Sequence, residues 1–346
     1  MKAATSYLSD LCTKFGDGWN RFWYAPVNPL PASVLRIGVG SIAFYLIALF
    51  SFDLLQFFGA HGLLPADTVD SVVRATTNTV LDSQGRPKIY RFSYLDSTND
   101  AGTLQAIHYA GLAVLLAYTV GLWSRVTSVL SLVVFLSYFH RAPMITGINE
   151  PVVAMLLFFL CFAPTGRCLS VDAWLRKRRA AKSASTTNLQ KDPLGGRSFA
   201  AAVSLRLIQV HIAMIYFLMF LATMQQNEVW WKGEAVWWLI ARNETAMIDL
   251  RWLADYPYLI NAWTTGIVVF YAAFALLIWN RTARPLLIVL SAPFWLGIAL
   301  ISGQGPFCAA MFVGGLSFIS AEQWCGLCCP NSAAADATVV PTAKGA

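Results

Sequence analysis

Eight long stretches almost free of charge constrain this chain more than any other feature: 34–52, 105–123, 126–143, 150–165, 203–223, 258–279, 284–302 and 304–321. About 20 apolar residues in a helix cross the hydrocarbon layer of a bilayer. Lipid offers no partner to a bare peptide group, so such stretches cross as helices or in closed barrels. Their length favours helices. Apolar residues make up 57% of the chain and charged ones 12%, about half the charge expected of a soluble domain. The expected fold is all-α, a polytopic membrane bundle of about eight transmembrane helices spread over residues 34–322. Stretch 150–165 is short, and the last two meet at Gly303-Gln304. Seven spans, with a broken or re-entrant hairpin there, is the alternative count.

Lysine and arginine set the expected orientation, because they accumulate on the cytoplasmic side. With eight spans and the N-terminus inside, the inner segments hold Lys2, Lys14, Arg21, Arg125, Arg167, the cluster Arg176, Lys177, Arg178, Arg179 and Lys182, then Lys191, Arg197, Arg281, Arg284 and Lys344. The outer ones hold fewer over longer loops: Arg74, Arg86, Lys88, Arg91, Arg141, Lys232, Arg242 and Arg251. Both termini are therefore expected in the cytoplasm, in a plasma membrane of the bacterial inner type. The net charge of +7 reads as a topology signal and not as a nucleic-acid footprint. Residues 1–33, mixed polar and aromatic, lack the basic start and apolar core of a cleaved signal peptide and read as a cytoplasmic segment. Residues 176–198 read as a basic disordered inner loop, and 323–346 as a disordered cytoplasmic tail. The outer segment from Asp53 to Leu104 shows no clear helical or alternating pattern.

Polar residues near the outer ends of the stretches are the candidates for chemistry. In "YFLMFLATMQQNEVWWKGEAVWW", Trp230 and Trp237 are seven apart, as are Trp231 and Trp238, so each pair shares a helical face. Trp230, Trp231, Trp237 and Trp238 suit an interfacial anchor at headgroup level. Lys232 is a poor general base, because nearby Glu234 would raise its pKa. In "SLRLIQVHIAMIYF", Arg206 can snorkel, whereas His211 lies deeper, as a helix-to-helix hydrogen-bonding group or a functional one. In "FHRAPMITGINEP", His140, Arg141, Asn149 and Glu150 fall close together, and Arg141 could pair with Glu150 or stay solvated. Cys325, Cys328 and Cys329 in "CGLCCP" lack the further ligands of a closed zinc site, and no metal is expected.

Taken in order, "RIGVG", "FFGAHGLLP", "GLWSRVTSVLSL", "TGINEPV", "FAPTGRCLSVDAWL", "RLIQVHIAMIYF" and "WWKGEAVWW" resemble the HTTM domain family, the transmembrane domain of the vitamin K-dependent gamma-carboxylase type, over residues 33–322. In the carboxylase, the resemblance implies a base that activates vitamin K hydroquinone at the lumenal face to drive glutamate carboxylation. Aligned on Trp230 and Gly233, the family's lysine positions fall on Met224 and Gln225, and its assisting histidine falls near Asn149. None of these can act as the base. The expectation is thus a carboxylase-like membrane protein that does not carboxylate glutamate. It would hold a lipid or quinone-like molecule at its outer face, lined by His211, Asn149, Glu150, Gln225, Gln226, Trp230 and Lys232. The alternatives are a membrane scaffold or partner subunit, and a small-molecule transporter. Membrane lipids are the expected partners, nucleic acid is not, and no cofactor beyond a quinone or lipid is implied.

Overall fold

The computed structural model describes residues 2–76, 92–98, 100–182, 196–225, 227–242 and 247–328, and among them the fold is helical throughout. The helices are α1 (Lys2–Tyr24), α2 (Leu30–Leu49), α3 (Leu54–Phe58), α4 (Ala66–Thr76), α5 (Ala101–Val120), α6 (Ser124–Arg141), α7 (Asn149–Cys161) and α8 (Val171–Lys182). They continue as α9 (Phe199–Gln225), α10 (Asn227–Trp231), α11 (Ala235–Ile240), α12 (Pro257–Leu277), α13 (Ala283–Ser302), α14 (Gly305–Gly315) and α15 (Ala321–Cys328). Five of them, α2, α5, α9, α12 and α13, are long and apolar enough to cross a membrane. That is compatible with an integral membrane protein.

The other three expected spans are helices of a different kind. α7 has 13 residues and α14 has 11, which at 1.5 Å per residue covers about two thirds or less of a ~30 Å hydrocarbon layer. α6 is long enough but carries Ser124, Thr127, Ser128, Ser131 and Ser137, all buried. Its exposed face is instead apolar: Val126, Val129, Leu130 and Val133. Polar groups inside and aliphatic ones outside suit a helix whose solvent is lipid and whose neighbours are close-packed helices.

The long helices run alternately up and down. α2 packs on α5, α7 and α14, and α9 packs on α12. Local chemistry sets their ends. Asp100 accepts a hydrogen bond from the Thr103 amide (2.8 Å) and caps α5. Gly121 ends the same helix in the left-handed region (φ 78°), and a Cβ there would lie 2.6 Å from both Arg36 Nη1 and Ser170 Cβ. One end of the bundle gathers around Asp172 of α8. Its carboxylate accepts from the Trp123 amide (2.9 Å), the Ser124 amide (2.8 Å) and Ser124 Oγ (2.7 Å), capping α6 from 48 residues away. At the same end Arg36, fully buried, donates to the carbonyls of Thr165 (2.6 Å) and Leu169 (2.5 Å). The opposite end gathers around Glu150, where α2, α6, α7 and the α13–α14 turn meet.

Three segments differ from the sequence reading. Residues 2–24, read as a mixed segment, form α1, whose Leu11, Phe15 and Trp19 make an exposed stripe at helical spacing. The Asp53–Leu104 segment, read as patternless, contains α3 and α4. The basic loop is helical as far as Lys182, and the tail as far as Cys328; residues 183–195 and 329–346 lie outside the described residues.

Burial opposes the charge on Asp172, but the hydrogen bonds from Ser124 and Trp123, with Arg176 nearby, outweigh it and hold the carboxyl below its ordinary value of 3.8. A depressed folded pKa contributes stability above the unfolded value and loses it as pH falls through the folded one. Asp172→Ala is expected to cost about 1–2 kcal/mol, read as a lower thermal midpoint of the detergent-solubilised protein at pH 7. The gap between variant and native protein should close below about pH 4.

Candidate functional site

At the Glu150 end the helices leave a cavity of about 430 Å³, within the usual range for small-molecule sites. The C-terminal turn of α2 supplies Leu46, Ile47, Leu49 and Phe50, and α3 supplies Phe57. α6 contributes Phe135, Tyr138, Phe139 and the following Ala142. Polar groups concentrate on one side: Thr146, Asn149 and Glu150 at the start of α7, and Gln304 in the α13–α14 turn. The lining thus divides into an aromatic body and a polar rim. Phe50 is stacked on Tyr138 (centroids 5.8 Å apart) and meets Phe58 at 5.3 Å, which fixes the aromatic wall. At the rim Glu150 accepts from the Gly147 amide (2.8 Å) and from Asn149 Nδ2 (3.1 Å), closing the turn that starts α7.

Behind the aromatic wall lies a chain of buried polar groups. His108 of α5 is wholly buried; its Nδ1 lies 2.6 Å from the Tyr138 hydroxyl and its Nε2 lies 2.8 Å from Ser51 Oγ. Both ring nitrogens are therefore engaged, and Tyr138 joins this chain to the cavity. The sequence reading passed over His108, although an ionisable residue within an apolar stretch is a signal in itself. Beside it, Arg141 at the end of α6 is 1% exposed, pairs with Asp96 at 2.9 Å and lies over the Phe58 ring at 5.8 Å. Arg141 neither pairs with Glu150 nor stays solvated, the two readings the sequence left open. Arg141 turns to the 3₁₀ turn Tyr94–Ser97, while Glu150 spends its oxygens on its own helix start. In that turn, burial pushes the Tyr94 phenol up to about 12.

Of the candidate residues, Asn149 and Glu150 line this cavity, and His211, Gln225, Trp230 and Lys232 do not. Gln226 lies outside the described residues. His211 Nδ1 is 2.9 Å from the Leu207 carbonyl of its own helix, and its ring packs on Phe159 at 4.7 Å. Lys232 pairs with Glu228 at 2.5 Å, one helical turn back, rather than with Glu234; both partners are exposed, at 58% and 82%. Trp231 and Trp238 are exposed, whereas Trp230 and Trp237 pack against the core. The two pairs sit on two short helices, α10 and α11, because Gly233 turns the chain at φ 75°. The Asn261 amide, with its nitrogen facing the turn, donates to the carbonyls of Gly233 (2.8 Å) and Lys232 (3.0 Å). Met224 accepts from Trp231 Nε1 at its carbonyl (3.3 Å), and Gln225 is exposed at the end of α9. Among the described residues no group of three His, Cys, Asp or Glu side chains could hold a metal ion. Cys325 and Cys328 belong to α15, and Cys329 lies outside the described residues.

No family model, no curated protein and no solved structure matches the chain.

Removing the Tyr138 hydroxyl strands a buried histidine nitrogen. Tyr138→Phe is therefore expected to cost about 1–3 kcal/mol, whereas Lys232→Ala, which breaks an exposed pair, should stay within about 1 kcal/mol. Thermal midpoints of the two variants, measured side by side in the same detergent, check the ordering.

Proposed function

We propose that this chain is an integral membrane protein of the carboxylase-like HTTM type that binds an amphipathic lipid or quinone-like molecule at its Glu150 end and does not carboxylate glutamate. The observation that carries the reading is the division of the 430 Å³ cavity into an aromatic body and a one-sided polar rim. An isoprenoid or acyl chain meets Phe50, Phe57, Phe135 and Phe139, and a polar head meets Asn149, Glu150 and Gln304. Burying a chain in such a pocket contributes roughly 25 cal/mol per Å² of apolar surface, and the rim orients the head. The absence of lysine at Met224 and Gln225 supports a binding role over the family's base chemistry. On the charge distribution, both termini face the cytoplasm and the cavity opens at the outer face.

The test is mass spectrometry of lipids and quinones copurified from detergent, comparing the native protein with Thr146→Trp, which fills the cavity, and Trp230→Ala, which lies away from it. The reading predicts one enriched lipid or quinone class, reduced about tenfold or more by Thr146→Trp, equivalent to about 1.4 kcal/mol, and retained by Trp230→Ala. Identical bulk lipid in all three samples would refute it.

A further inference from the structure

At the opposite end of the bundle a second hollow has chemistry of its own. It is a shallow groove of about 460 Å³ between α2, the last turn of α5 and the start of α8, floored by Ile37, Val120, Leu169 and Trp174 with Ser170 beneath. Each of those four large side chains is exposed, so an apolar trough lies open beside the last turn of an expected span. Its rim carries the opposite character. Arg178 is one helical turn beyond Trp174 and its guanidinium lies 3.9 Å from the indole ring that lines the trough. Arg167, Arg176, Lys177 and Arg179 are exposed on the same segment. Arg176 donates to the Gly166 carbonyl (2.7 Å). Asp172, which caps α6 and lies near Arg176, sets one carboxylate against these five cations.

We propose that this groove is a binding site for an anionic phospholipid. One acyl chain lies along Ile37, Val120 and Trp174, and the phosphate is held by Arg178 with the neighbouring cations of α8. An apolar trough alone would take any lipid tail, and a basic helix alone any polyanion. Only a negatively charged lipid satisfies both at the spacing set by the Trp174–Arg178 stack. Basic residues beside a bilayer attract anionic headgroups by about fivefold in affinity for each charge, and the trough adds chain burial that a free phosphate cannot supply.

The experiment is native mass spectrometry of the full-length protein, titrated in parallel with phosphatidylglycerol and phosphatidylcholine of the same chain length. Two variants accompany it: Arg178→Gln, at an exposed position, and Val120→Trp, which fills the trough and leaves every cation in place. The proposal predicts a saturable phosphatidylglycerol adduct favoured over phosphatidylcholine, weakened about fivefold by Arg178→Gln and at least as much by Val120→Trp. Inorganic phosphate at matching concentration should not displace it. Equal binding of the two lipids would overturn the proposal. So would displacement by phosphate or by a single-stranded oligonucleotide, or a Val120→Trp protein that binds as the native one does; each would leave only a general polyanion surface.

Discussion

Arg36 and Arg141 are fully buried at opposite ends of one bundle, and much of the architecture is arranged around satisfying them. A guanidinium withdrawn from water must find charge or carbonyl oxygen nearby, because an unpaired buried cation costs several kcal/mol. Arg36 finds the carbonyls of Thr165 and Leu169 and so ties α2 to the segment between α7 and α8. Arg141 finds Asp96 and so ties α6 to the chain entering α5. The same constraint accounts for the serine-rich inner face of α6 and for the His108–Tyr138–Ser51 chain. Polar side chains that would face lipid gain most by facing inwards; many sit at the two ends where helices are joined, and others, such as Gln209 and the Tyr216–Trp295 pair, lie between them.

Both hollows follow from this arrangement. At the Glu150 end the short α7 starts beside the ends of α2 and α6, and the turn at Gly303 brings Gln304 across from them. The space that results is walled by phenylalanines because α2 and α6 bring aromatic side chains there, and rimmed by polar groups because a helix begins and a turn closes at its mouth. At the Asp172 end, α8 folds back under α5 and leaves Trp174 against an open apolar face. One end therefore presents an aromatic pocket with a weakly acidic rim, and the other an open apolar trough with a basic one.

Apolar length was legible in the sequence, because it depends only on composition in a window: helices α2, α5, α6, α7, α9, α12, α13 and α14 lie close to the eight apolar stretches. Crossing capacity was less so, since α7 and α14 are cut short by their turns. Pairings across long separations were not legible. Nothing local marks Asp172 as the cap of α6, or Asp96 as the partner of Arg141 in place of Glu150. α1 escaped because its apolar residues recur at helical spacing within a stretch of near-neutral mean hydropathy, so a window average hides them. The candidate site divided in the same way. Asn149 and Glu150, set at a helix start next to the α6 end, reach the cavity, while Gln225, Trp230 and Lys232 follow α9 away to the Gly233 turn.

The central claim is that the pocket between Tyr138 and Glu150 is built to be filled. A cryo-electron microscopy map of the protein in lipid nanodiscs, at a resolution that shows side chains, tests it most directly. The account predicts a continuous elongated density along Phe50, Phe135 and Phe139 that ends in a compact head against Asn149, Glu150 and Gln304. A pocket closed by its own side chains, or holding only isolated water peaks, would contradict it.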